Sequence, residues 1–175
     1  MIRRFEGHTP TLGEGAWVDD SAQVIGDVVI GSESSVWPLV TIRGDVNAIR
    51  IGARTNVQDN SCLHVTHDGP YSSGGVRLVI GDDVTIGHGV ILHACSIGNR
   101  VMIGMGSLVM DEAVIEDEVL LAAGSLVSPG KRLLSGHLYR GRPAMMVRAL
   151  TAEEREQLAY SAAHYVRVKN RHAAG

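Results

Sequence analysis

Aromatic side chains are scarce in this chain, with one phenylalanine, two tryptophans and four tyrosines among 175 residues. A wide core packed with rings is thereby excluded, and a narrow interior is implied. Cysteine is equally sparse: Cys62 and Cys95 are too few for a disulfide scaffold and read as buried or partly buried thiols. Nowhere do about 18 uncharged apolar residues run together, so no membrane-spanning helix is expected. The net charge is only -3, so neither nucleic acid nor a membrane surface is an expected partner. The opening residues, MIRRFEGHTP, contain no apolar signal segment. A cytoplasmic location is the expectation.

What the chain does have is glycine, 21 in all, and a repeat. Ile80, Ile86 and Leu92 step by six; after one five-residue step, Ile97, Ile103, Val109, Ile115, Leu121 and Val127 do the same. The step also runs from Val18 through Val24, Ile30 and Val36 to Ile42, and from Ile51 through Val57 to Leu63. Small or β-branched residues such as Ser34, Thr55, Val84, Ser96, Ser107 and Ser125 follow the anchors by four. A six-residue repeat of this kind belongs to a parallel β-helix, in which each repeat makes one flat side and three sides close a coil. Stacked coils hydrogen-bond at about 4.8 Å, which leaves a thin aliphatic core and no room for rings.

The expected organisation is an all-β solenoid over residues 1–150, with an inserted loop at about 65–78, and a C-terminal α-helix within 151–175. Thr151 and Glu154 have capping-box spacing, and Leu158, Ala162, Tyr165 and Val166 share one helical face. That helix is expected to pack on the prism and do nothing else, with Arg167, Lys169 and Arg171 favouring its C-terminal dipole. The period breaks twice, at the nine-residue step from Ile42 to Ile51 and the seventeen-residue step from Leu63 to Ile80. Insertions in a solenoid gather at its working face.

Counting sides then places the histidines. Leu63 and Leu92 fall one coil apart on one side, so His64 and His93, each one residue later, stack on its outer surface, close enough to share a metal ion. Arg43 follows Ile42 in the same column. His88 follows Ile86 on a different side, above Asp59 and beside Gln58, and cannot reach the ion held by its own chain's other histidines. A neighbouring chain can supply it if three prisms pack about a threefold axis, giving a homotrimer with a three-histidine site in which a fourth position stays open.

The stretches IRGD (42–45), IGARTNVQDNSCLHVTH (51–67), IGHGVILHACSIGNRVMIGMGSLVMD (86–111) and LYRGRPA (138–144) resemble the γ-class carbonic anhydrases and their YrdA-type bacterial homologues. The resemblance covers nearly the whole chain. It implies a left-handed β-helix, trimeric, with metal held between subunits by His64 and His93 of one chain and His88 of the next. It further implies that Arg43 and Asp59 form an intersubunit ion pair, that Gln58 orients the reacting hydroxide with Asn56 as its polar neighbour, and that Tyr139 lies at the site. The implied reaction is reversible hydration of carbon dioxide to bicarbonate, with zinc as the expected cofactor and Fe2+ or Co2+ also suited to imidazole. Loop residues 64–79 contain no glutamate to serve as the family's proton shuttle, and His67 is the candidate in its place.

Other functions share this scaffold. A metal-dependent acyl-CoA thioesterase would use the same hydroxide on another electrophile, and a trimer that binds metal without turnover would keep the same ligands. A hexapeptide acyltransferase needs one basic histidine and no metal, which the three-histidine set disfavours. The tripeptide Arg43-Gly44-Asp45 reads as coincidence, and Cys95 as a packing residue.

Overall fold

The structure, a computed structural model, describes residues 1–175. Twenty strands precede a single helix. Most strands hold only two or three residues, because one side of a six-residue repeat accommodates no more before the chain turns. All but the last strand, Met145–Ala149, which runs antiparallel to His137–Arg140, stack in parallel: Trp17 pairs with Ser35, 18 residues on, and Met102 with Leu120, again 18 on. Where the five-residue step falls, Thr85 pairs with Met102, 17 residues on; across the long insertion Asn56 pairs with Thr85, 29 on. Insertions and deletions therefore change the length of a coil without shifting the stacking of its neighbours. This is the parallel β-helix of hexapeptide repeats with a C-terminal helix that the repeat implies.

The anchors fill the interior. Ile30, Ile42, Leu63, Ile86, Leu92, Ile103 and Leu121 are fully buried within one cluster of 31 residues. Each such side chain contributes about 1.5–3 kcal/mol by leaving water. One expected inward partner is displaced. Ser96 is exposed and Cys95 occupies the buried slot, because the short step after Leu92 brings the inward position one residue earlier. Burial pushes the Cys95 thiol pKa well up and keeps it protonated.

The two period breaks build different structures. The nine-residue step is absorbed by one long strand, Thr41–Ile51, which turns a corner of the prism against Gln23–Ile30. The seventeen-residue step is a loop that leaves after His64, closes through a Thr66–Val76 bridge and returns at Leu78.

The helix Ala152–Ala173 begins with the expected capping box: Thr151 Oγ1 accepts from the Glu154 N–H at 3.1 Å, and Glu154 Oε2 accepts from the Thr151 N–H at 2.9 Å. It lies across strands Ser35–Val36 and Thr85–Ile86, with Leu158 and Ala162 buried. Lys169, expected to serve the helix dipole, is instead 2% exposed, and its ammonium donates to Glu33 Oε2 at 2.7 Å. Beneath the helix Trp37 meets Trp17, Tyr165 and His172 at ring-centroid distances of 5.1, 5.6 and 5.1 Å. These rings sit outside the prism, where width is not limiting. No helix is long and apolar enough to cross a membrane.

Close stacking makes some glycines irreplaceable and others not. A Cβ on Gly31 would lie 2.4 Å from the carbonyl carbon of Gly52 on the next coil, whereas one on Gly124 would meet nothing within 4 Å. Gly31→Ala is expected to cost about 3 kcal/mol or more through forced separation of the coils. Gly124→Ala costs about 1–2 kcal/mol, from its left-handed backbone alone. Equal shifts of the two denaturation midpoints would contradict this account of the stacking.

Candidate metal centre

Strands Cys62–His64 and Ile91–His93 pair in parallel with His93 opposite His64. Their rings converge, with His64 Nδ1 3.2 Å from His93 Nε2. Each ring's other nitrogen meets a carboxylate: His64 Nε2 lies 3.0 Å from Asp45 Oδ1, and His93 Nδ1 lies 2.9 Å from Asp111 Oδ2. Burial opposes charge on Asp45, but hydrogen bonds from Arg43 and His64 outweigh it and hold its carboxyl below the usual range. Asp111 is depressed in the same way, with burial overcome by donation from Thr66 and His93. Both carboxylates are therefore ionised and can only accept.

This fixes the tautomers. A neutral His64 carries its proton on Nε2 and a neutral His93 on Nδ1, each directed at its aspartate, an arrangement in which the facing nitrogens are lone pairs. Burial lowers the His64 pKa, against Asp45 and helped by Arg43, which keeps the ring neutral. Two lone pairs at 3.2 Å repel unless a cation lies between them. Two imidazoles on one tetrahedral zinc, each about 2.1 Å from it, stand about 3.4 Å apart. The donor set thus fits a divalent cation, and the outer aspartates are the partners that orient metal-binding histidines.

His88 stands apart from this pair. Its Nδ1 lies 3.0 Å from Asp59 Oδ2, which leaves Nε2 facing solvent from a side chain 49% exposed. Within one chain no three His, Cys, Asp or Glu side chains converge on a common cation position. His88 lies instead on the rim of a cavity of about 340 Å³, shared with Gln58, Met102, Met105, Ser161 and Tyr165. Gln58 Nε2 donates to Asn56 Oδ1 at 3.0 Å. His67 lines a separate cavity of about 230 Å³ in the inserted loop, together with Asp111 and Glu112.

Several residues stand elsewhere than the sequence suggests. Tyr139 is 3% exposed inside the prism, where its hydroxyl accepts from the Leu134 N–H at 2.8 Å, so it does not reach the histidines. The tyrosine beside His88 is Tyr165 of the helix, whose phenol pKa is raised by burial and then by the charge of Asp59. The helix is therefore part of this cavity, not only a cover for the prism. Arg43 pairs at 2.5 Å with Asp45 of its own chain, and Asp59 is engaged with His88. Asp45 and Asp111 were missed. Asp111 stands two residues after the anchor Val109, which stacks on Leu92, so extending the count one coil puts Met110 over His93 and Asp111 only next to that column. Asp45 had no such signal, because it rides on the irregular corner.

Asp111→Ala frees the His93 tautomer and is expected to weaken zinc binding roughly 10- to 100-fold with the fold intact. Competition against a chromophoric chelator reads this directly; an unchanged affinity would remove Asp111 from the site.

Comparison with known proteins agrees with the repeat. Residues 9–44 match the bacterial transferase hexapeptide family of six repeats. The chain is 51% identical to Protein YrdA of Escherichia coli, over 97% of its own length and 92% of that protein. It is 42% identical to a carbonic anhydrase of Geobacillus kaustophilus, over 95% of its own length and 87% of the other. The crystal structure of a hexapeptide transferase family protein from Anaplasma phagocytophilum matches with a TM-score of 0.89 and 43% identity, covering 97% of this chain and 96% of that one. On its repeat, its coil stacking and these identities, the chain belongs to the hexapeptide-repeat family, in the group that includes YrdA and the γ carbonic anhydrases.

Proposed function

We propose that this protein is a γ-type carbonic anhydrase that acts as a homotrimer, with each metal site shared by His64 and His93 of one chain and His88 of its neighbour. The observation that carries this reading is the convergence of His64 Nδ1 and His93 Nε2 to 3.2 Å, two ligands lacking a third. His88, oriented by Asp59 and directed outward, has the chemistry to complete the set. The neighbour has a surface to bind. Ile91 and Leu108 pair in register and lie on the outer surface of the side that carries His64 and His93, with Leu126 above them and Ile91 46% exposed.

A divalent cation held by three neutral imidazoles, zinc, Fe2+ or Co2+ alike, keeps its positive charge and lowers the pKa of water from 15.7 to about 7 in the best cases. The chain's residues supply the rest. Asp45, Asp111 and Asp59 hold the imidazoles in the tautomers that leave a lone pair free. Gln58 Oε1 offers an acceptor on the cavity wall for the proton of the attacking water. The Met102 and Met105 side chains give carbon dioxide an apolar approach. His67, an imidazole on the inserted loop, carries the released proton to solvent.

Stopped-flow hydration of carbon dioxide by metal-loaded protein is expected to show turnover that His88→Ala and His93→Ala each abolish. Coexpressing the two variants restores part of it, because a mixed trimer rebuilds an intact site between an intact pair and an intact His88. In low buffer His67→Ala slows turnover, and added imidazole restores it. Absence of complementation would reject the shared site.

One observation favours a second reading. A cavity of about 340 Å³ is far larger than carbon dioxide requires, and its partly apolar lining suits an acyl group. Hydrolysis of a short acyl-CoA thioester, with no carbon dioxide turnover by the same metal-loaded protein, would favour it.

A further inference from the structure

We infer that Ser161 and Thr85 are positioning residues that set the orientation of the Gln58 amide, so that the C-terminal helix controls the direction of the site's only side-chain amide acceptor. The inference rests on the proposed reaction for its use, and on hydrogen-bond directions for its geometry. Asn56, Gln58 and Thr85 are 1, 5 and 5% exposed, so their polar atoms depend on each other. Asn56 Nδ2 lies 3.3 Å from the Val84 carbonyl oxygen, which can only accept. The Asn56 amide is therefore turned with its nitrogen toward Val84 and its oxygen toward Gln58.

Every other direction follows. Asn56 Oδ1 accepts, so Gln58 must present Nε2, at 3.0 Å, and Gln58 Oε1 is left facing the cavity. The second proton on Asn56 Nδ2 goes to Thr85 Oγ1 at 3.1 Å. Thr85 then needs an acceptor for its own proton, and Ser161 Oγ on the helix stands 3.0 Å away. The chain runs Gln58 to Asn56 to Thr85 to Ser161, each donating to the next. No buried side-chain polar atom is left without a partner. Without Ser161 the Thr85 proton competes for the space that Asn56 Nδ2 fills, and the amides of Asn56 and Gln58 lose their fixed sense.

The test uses metal-free protein labelled with 15N-glutamine. The chain has three glutamines, Gln23, Gln58 and Gln157, so its side-chain amide spectrum is simple and Gln58→Leu assigns the signal. Ser161→Ala and Thr85→Val are each expected to speed solvent exchange of the Gln58 amide roughly fivefold, the loss of one hydrogen bond worth about 1 kcal/mol, while Thr85→Ser keeps the wild-type rate. In metal-loaded protein the same two variants lower kcat with KM unchanged, because Gln58 acts on the attacking water and not on substrate capture. An unchanged Gln58 exchange rate in both variants, or a Thr85→Ser variant as fast as Thr85→Val, would overturn the inference. If no form hydrates carbon dioxide yet the exchange pattern holds, the network stands and the proposed reaction fails.

Discussion

The constraint on which this structure depends is the backbone ladder that joins each coil to the next. Parallel hydrogen bonds fix neighbouring coils about 4.8 Å apart and in one register, so whatever projects from equivalent positions must stack. His93 lies over His64 for that reason alone. The same ladder accounts for the thin aliphatic core, for glycine where coils touch, and for the exclusion of tryptophan to the outer surface under the helix. A solenoid is built from near-identical units, and its function resides where the unit is broken. Here the corner of Thr41–Ile51 delivers Asp45 to His64, and the loop after His64 places Thr66 against Asp111.

The second determinant is electrostatic. Three aspartates each take one nitrogen of a histidine, and in doing so decide which nitrogen is free. At Asp45 and Asp111 the hydrogen bonds from neighbouring donors outweigh burial and keep the carboxyls charged. The result at His64 and His93 is a pair of ring nitrogens 3.2 Å apart that fits the proposed cation.

Much of this was legible in the sequence, because a strict repeat turns sequence number into position. The six-residue step located the anchors, and counting sides put His64 and His93 in one column and His88 above Asp59. What was not legible lay off the repeat. Asp45 sits on a corner whose path no period specifies, and Tyr139 follows the repeat so faithfully that it enters the core instead of the site. The helix misled for a different reason. Amphipathic spacing identifies a packing face, but not what the face packs against, so Ser161, Tyr165 and the buried Lys169 acquire their partners only in three dimensions.

The central claim is that one chain holds two ligands of a cation and a second chain holds the third. Anomalous diffraction at the absorption edge of the bound metal, from crystals of loaded protein, tests this most directly. The account predicts one ion per chain between subunits, contacted by His64 and His93 of one and His88 of the next. An ion bound within a single chain, or none at the His64 and His93 pair, would contradict it.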